Sequence, residues 1–220
     1  MRHGTSRFAA AAFALSLSSC VPWTVVPIGR EEKDTASGPA VASPAQYVDS
    51  IWSTSLVPAI LNGAVEARVL LDAVAASPAD AAQRYGHRQA NGRAYFLVKG
   101  RGTVTAVDTR SRVGLALVDV APYDGRPDIS IQIGPVLRGT ALRDATGIVR
   151  FTDFVNQLQF ADAGNELNGR ALKTVLAPLD AAALKGRGVA FAGALAAPEG
   201  KADPLLPELV PVRLTVEENR

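Results

Sequence analysis

The stretch YFLVKGRGTVTAV, residues 95–107, decides the fold. It opens with four residues of high β propensity, and its second half alternates valine with threonine, as a half-buried strand does. Gly100 and Gly102 interrupt the pattern and predict a bulge or a sharp bend in one long, curved strand.

Four further strands are predicted around this one, over residues 113–120, 129–133, 188–195 and 210–216. Polar turns separate the first three strands of the chain, so these form a meander. A bent first strand and a helical stretch before the late strands are typical of the OB type. The sequence therefore predicts an α+β fold: a small OB-like β-barrel of five to six strands over residues 93–216, with an N-terminal helical segment and a helical insert before the last strands.

The helices are predicted from apolar spacing of three and four residues. Residues 45–86 contain two or three of them, with a restart at Pro58 and a new helix capped by Ser77. The insert spans residues 152–176, and Thr152 is expected to cap it. Residues 45–220 are thus predicted to be a single α+β domain.

The amino terminus has the pattern of an export signal. Arg2 and Arg7 precede the apolar run of residues 8–17, which is much shorter than the ~20 residues that span a bilayer. Leu17 to Cys20 (LSSC) then resembles a bacterial lipobox, in which a lipid is attached to the cysteine sulfur before cleavage. The alternative is an ordinary signal with an incidental cysteine, but the chain's single cysteine stands at this one position.

Cleavage before Cys20 removes a signal peptide of residues 1–19 and leaves a lipidated cysteine with a proline-containing tether, residues 20–44. The protein is therefore expected in the periplasm, bound to a membrane through Cys20. Val21 is not the aspartate associated with inner-membrane retention, which slightly favours the outer membrane.

Charge excludes one large class of function. The chain has 23 Lys and Arg against 21 Asp and Glu, and the export signal carries two of the arginines and no acid. A mature domain with balanced charge lacks the basic surface of a nucleic-acid binder. With 48% hydrophobic residues in 220, the chain has enough apolar side chains to bury a core.

A candidate site lies around GPVLRGT, residues 134–140. The spacing is that of a phosphate loop, but the lysine is missing, so that interpretation is rejected. The glycines and the proline are more simply explained by a turn after the third strand. A polar cluster here has two interpretations: it binds a sugar, or it only pins a helix to the sheet. The cluster comprises Gly134, Pro135, Arg138, Gly139, Thr140, Arg143, Asp144, Asp153, Asn156 and Gln157.

No catalytic residues, metal ligands or cofactors are predicted. The sequence contains no nucleophile motif, no HExxH motif and no second cysteine that could act with His87 in catalysis. Two classes of function stay open: a non-enzymatic binding or scaffolding module, and an enzyme acting on periplasmic sugars or glycans. The enzyme would need Asp144 and Asp153 roughly 5–9.5 Å apart across a cleft.

Several longer motifs resemble one family, the predicted bacterial periplasmic lipoproteins with a domain of unknown function. The resemblance runs from about residue 47 to 216, and its motifs are YVDSIW (47–52), RYGHR (84–88), VKGRGTV (98–104), QIGPVLRGTALRDA (132–145), FTDFVNQ (151–157) and VLAPLDAAALKGRGVAFAGA (175–194). The family is often encoded beside ribose-type sugar ABC transporters. The resemblance therefore implies an accessory role in carbohydrate uptake, with a transporter permease or binding protein as partner.

Overall fold

A computed structural model describes residues 43–88, 92–198 and 206–217, which belong to one compact unit. The predicted signal peptide, the lipidation site Cys20 and the tether up to residue 42 lie outside the described residues.

Helices and strands alternate in blocks along the described chain. The α-helices are α1 (Pro44–Ile51), α2 (Val57–Gly63), α3 (Ala67–Ala76), α4 (Pro78–Tyr85), α5 (Ala141–Asp144) and α6 (Gln157–Ala171). Single π turns follow α1 and α6 at Trp52–Leu56 and Leu172–Leu176, and short 3-10 helices span Phe151–Asp153 and Ala181–Leu184. The strands are β1 (Val65–Glu66), β2 (Gly86–Arg88), β3 (Ala94–Asp108), β4 (Leu115–Val120), β5 (Ile129–Gln132), β6 (Gly188–Ala196) and β7 (Glu208–Val216).

Five of these strands pair in a closed ring. β3, β4 and β5 form the antiparallel meander, β5 pairs in parallel with β7, and β7 returns through β6 to β3. β1 and β2 are short, and within the described residues each pairs only with β3. The predicted α+β class, with helices before the sheet and between β5 and β6, is confirmed.

The long strand β3 pairs with two neighbouring strands along its length. Its first half pairs with β6 and its second half with β4, and Gly102 is paired to both. A Cβ at Gly102 would lie 2.4 Å from Val118 Cγ1 and 2.5 Å from the Asp119 carbonyl oxygen. The glycine is therefore needed because two strands approach its Cα closely.

The bulge predicted at the glycines lies elsewhere. The pairing of β3 with β4 shifts register between Val104 and Ala106, while the pairing with β6 is regular from Tyr95 to Thr103. Of the two alternatives predicted at Gly100 and Gly102, a bulge or a sharp bend, the bulge was wrong, because at Gly102 the glycine allows the close approach of two strands.

The helical segment covers one side of the ring. Leu56 and Ile60 are fully buried with the sheet residue Phe96 in one core. Pro58 lies in the first turn of α2, where its missing N–H costs nothing. Ser77 caps α4, its Oγ accepting a hydrogen bond of 3.3 Å from the Asp80 amide.

The helix of the insert starts later than expected. Asn156, not Thr152, is the cap of α6, and its Oδ1 accepts a 2.9 Å hydrogen bond from the Gln159 amide. Thr152 instead lies within the preceding 3-10 helix. Threonine and asparagine both cap helices well, so only the backbone path shows which of the two positions is the cap.

Candidate functional site

A cavity of about 520 Å³ opens at one end of the closed ring. It lies where β3 and β7 begin and where β5 and β6 end. Its polar lining consists of Arg93, Tyr95, Gln132, Arg138, Thr140 and Glu208. The rest of the lining is Gly139, Ala141, Ala196, Ala197, Pro198, Leu206, Pro207 and Val210. The volume is within the ~300–1,000 Å³ that small-molecule sites occupy.

Gln132 organises the polar side of this cavity. It is only 3% exposed, and its Oε1 accepts a 2.8 Å hydrogen bond from the Arg138 amide. Its Nε2 donates to the Arg138 carbonyl and to Glu208 Oε2, each at 3.3 Å. The buried amide thereby fixes the backbone of Arg138 relative to the start of β7.

Arg138 and Glu208 form a two-point ion pair beside it. Arg138 Nη2 donates to Glu208 Oε1 at 2.5 Å, and Nε donates to Oε2 at 3.1 Å. The arginine side chain is 61% exposed and the glutamate 23%. Because a guanidinium has five N–H donors, the exposed part of Arg138 has donors left for a ligand.

Two hydroxyl groups and a second guanidinium complete the polar lining. The Tyr95 and Thr140 hydroxyls lie 3.1 Å apart and share a hydrogen bond. The Arg93 guanidinium carbon lies 5.9 Å from the centre of the Tyr95 ring. Hydroxyls that both donate and accept, next to fixed donors, match the hydrogen-bonding groups of a sugar.

The structure separates the ten residues of the candidate cluster. Three of them line the cavity: Arg138, Gly139 and Thr140. The others lie outside its lining: Gly134, Pro135, Arg143, Asp144, Asp153, Asn156 and Gln157. The chain around residues 134–140 therefore belongs to the cavity, while the residues after it serve the helices.

Arg143 and Asp144 join α5 to α6. Arg143 Nε and Nη2 donate to the two carboxylate oxygens of Asp144 at 2.7 and 3.0 Å, and both side chains are almost fully buried. The guanidinium also lies 3.9 Å from the centre of the Phe160 ring and donates to the Phe160 carbonyl at 3.3 Å. This pair stabilises the packing of the insert on the short helix before it.

Asp153 is held by two partners from different elements. Its Oδ2 accepts hydrogen bonds of 3.1 Å from the Tyr47 hydroxyl and the Arg150 amide, and its Oδ1 accepts one from Arg150 Nη2. Burial alone would raise the pKa of Asp153, but these hydrogen bonds and the charge of Arg150 outweigh it and lower the pKa. Burial, together with the bond to this carboxylate, raises the pKa of Tyr47 to about 12.

Gly134 turns the chain off β5, and its φ of +82° is in the left-handed region that favours glycine. A Cβ at this position would meet Leu172 Cδ1 at 2.7 Å. Pro135 follows in the same turn, and Gln157 is the exposed first residue of α6. These positions shape the backbone and present no group to the cavity.

The carboxylate pair of the enzyme hypothesis lies outside the lining of this cavity. Neither Asp144 nor Asp153 lines the cavity, and an arginine binds each of them.

Among the described residues, no group of three or more His, Cys, Asp or Glu is placed to hold a metal ion. In the same part of the chain, no helix has the length and apolarity to cross a membrane.

Four polar residues of the cavity lining were not predicted: Arg93, Tyr95, Gln132 and Glu208. Tyr95 and Gln132 lie in strands, where the alternating pattern marks them as sheet residues. Gln132 contacts Glu208 across 76 positions of sequence. The one local signal was Gln132 itself, a long amide side chain at the end of a strand that otherwise has only isoleucine and serine.

Comparison with solved structures gives the class of fold. The chain is similar to an OB-fold protein from Thermotoga maritima, whose crystal structure was determined at 1.90 Å resolution. The TM-score is 0.67 at 19% sequence identity, over 80% of this chain and 99% of that one. The OB-like prediction is therefore confirmed at the level of fold.

Comparison with family models places the chain more closely. The model of the predicted periplasmic lipoproteins (DUF2291), a family of unknown function, matches residues 10–215. The chain belongs to this family, as its motifs indicated. Membership supports a periplasmic location with lipid anchoring. No curated protein matches the chain.

Proposed function

We propose that the protein is a lipid-anchored binding module that takes a small sugar in the cavity at the end of the ring. The observation that carries this proposal is the polar lining. Two guanidinium groups, an amide, a carboxylate and two hydroxyls line one cavity of about 520 Å³ with apolar walls. Sugars are bound by planar polar side chains in fixed positions, together with apolar contacts to their C–H faces.

The polar groups are held rigidly before any ligand arrives. Gln132 is buried and fully engaged, and it fixes both Arg138 and Glu208. A preorganised site loses less entropy on binding than a mobile one. This arrangement favours a binding role over a purely structural one for residues 138–140.

The binding hypothesis is preferred to the enzyme hypothesis. A glycosidase needs two carboxyl groups on either side of the bound sugar. Glu208 is the only carboxylate among the described residues that line the cavity, and it is paired with Arg138. Asp144 and Asp153 are engaged with arginines outside the cavity lining.

Titration calorimetry of the lipidated protein in detergent tests the proposal, with D-ribose first and other monosaccharides after it. Thr140→Val removes a hydroxyl at the cavity and keeps the side chain's shape. Losing one neutral hydrogen bond, worth about 0.5–1.5 kcal/mol, should weaken binding roughly 2- to 12-fold. Thr152→Val, at an exposed position outside the cavity lining, is the matched control and should bind as wild type does.

If none of the monosaccharides binds, sugars are ruled out as the ligand class. Equal affinity of the Thr140 variant and the wild type would place any ligand outside this cavity. Thermal unfolding of each variant shows whether the fold is intact.

The proposal extends to a partner. The resemblance of the motifs to the family implies a carbohydrate ABC transporter as the partner. The lipid anchor at Cys20, with the outer membrane slightly favoured, would hold the module in the periplasm. Affinity capture of the lipidated protein from solubilised membranes, with Cys20→Ala as control, should recover a sugar permease or its binding protein. Capture of the protein without any transporter component would contradict a stable complex with the transporter.

A further inference from the structure

The start of the helical insert exposes an apolar surface. Six large apolar side chains are exposed in the described part of the chain, and three of them fall within eight residues. Phe151 is 53% exposed, Val155 50% and Leu158 70%. We refer to these three side chains as the 151–158 patch. Single exposed apolar residues are ordinary, but a group of them marks a surface that contacts something.

Phe151 of the patch belongs to a layer of packed aromatic rings. Phe151 meets Phe160 edge-on, with 5.6 Å between the ring centres, and Phe160 lies 5.8 Å from Phe154. Phe154 in turn meets the Tyr47 ring at 5.1 Å. The fold therefore holds the half-exposed Phe151 ring against a packed aromatic base.

The same layer lies beside the point where the described chain begins. Tyr47 is one helical turn from Ser43, and its hydroxyl bonds to Asp153. Twenty-two residues separate Ser43 from Cys20, a length that reaches at most roughly 80 Å when fully extended. The chain that leads from the anchor therefore enters the domain at this side.

The charge next to the patch suits a lipid surface. Arg150, directly before Phe151, has a side chain that is 71% exposed while it bonds to Asp153. A guanidinium beside exposed apolar side chains matches the boundary at which lipid phosphates meet acyl chains. A surface of this composition is typical of protein segments that lie in the membrane interface.

We propose that the 151–158 patch inserts into the interface of the bilayer that carries the lipid anchor. Anchor and patch then give two points of attachment, and the second orients the domain on the membrane. The inference rests on the lipid anchoring of the family and is independent of what the cavity binds.

A single-thiol label tests this contact. In the lipidated protein the sulfur of Cys20, the chain's one cysteine, carries the lipid, so an introduced cysteine is the only free thiol. Leu158→Cys is labelled with an environment-sensitive fluorophore, and the full lipidated chain is reconstituted into vesicles of phosphatidylethanolamine and phosphatidylglycerol. We expect a blue-shifted emission that brominated lipids quench.

Val69→Cys is the matched control. Val69 is 47% exposed on α3, which packs on β3 and α4, and its label should report water in the same vesicles. Adding Phe151→Ser and Val155→Ser to the Leu158 variant should return its label to a water-like emission.

Two outcomes would overturn the proposal. A label at position 158 that behaves as the one at position 69 shows that the patch stays in water. A blue shift without quenching by brominated lipid shows a protein contact instead, and dependence on protein density would identify a second copy of this chain.

Discussion

At the scale of single residues, glycine and ionised side chains have the clearest physical roles. Gly102 has strands on both sides and no room for a Cβ, whereas a Cβ at Gly169 within α6 would meet nothing within 4 Å. The same residue type is thus required at one position and only costs entropy at the other.

Replacing these two glycines with alanine should have opposite effects. Gly102→Ala forces β4 away and should lower the free energy of unfolding by about 1–3 kcal/mol. Gly169→Ala should raise it by about 0.5–1 kcal/mol, since alanine is the better helix former. Urea denaturation of both variants measures the difference, and a Gly102 variant as stable as wild type would contradict the close approach in β3.

Asp153 should make part of the stability depend on pH. Its folded pKa is lowered, so the unfolded chain binds the proton more readily. The contribution is fully present above the unfolded value of about 3.9 and is lost as pH falls through the folded value. Asp153→Asn should therefore be less stable than wild type at pH 7, with a gap that narrows below about pH 4.

Chemical denaturation of both proteins from pH 7 to 3 tests this. Tyr47→Phe is a useful companion, because it removes one of the hydrogen bonds that lower the Asp153 pKa. A gap between wild type and Asp153→Asn that stays constant over the whole range would show that this carboxylate is not the titrating group.

At the scale of elements, the helical insert depends on its cap and on the groups that tie it to its neighbours. Asn156 satisfies the first turn of α6, and the Arg143–Asp144 pair joins α5 to the Phe160 ring. Arg170 adds an ion pair to Asp49 of α1. The polar residues after position 140 thus make packing and capping contacts in this structure.

Removal of the cap should destabilise the insert specifically. Asn156→Ala should lower the free energy of unfolding by about 1 kcal/mol, because the Gln159 amide loses its acceptor. Thr152→Ala, four residues earlier and exposed, should change it little. Hydrogen exchange in α6 is the most sensitive readout, and equal effects of the two variants would contradict the observed cap.

The strands could be predicted from the sequence because their signals are local. Alternation and turn residues located β3 to β7 to within a few positions. The register shift between Val104 and Ala106 could not be predicted, because the register depends on which partner strand lies alongside β3. The cap was misplaced by four residues because threonine and asparagine are both good caps and the intervening 3-10 helix has no distinct pattern.

At the scale of the whole molecule, ring closure creates the cavity. β5 and β7 are far apart in the chain, and their parallel pairing brings Gln132 to Glu208. Sequence motifs pointed to residues 138–140 through their glycine turn. They could not point to Arg93, Tyr95 or Glu208, which enter the site only through the closure of the sheet.

The most direct test of the central claim is to locate a bound sugar by methyl NMR. D-Ribose is titrated into the labelled lipidated protein, and the methyl signals of Ala141, Ala196, Ala197 and Val210 report on the cavity. The account predicts saturable shifts of the methyl signals of these four residues and none at Val69 on α3. The absence of shifts with D-ribose and the other monosaccharides, or shifts confined to methyls elsewhere, would contradict a sugar site at the end of the ring.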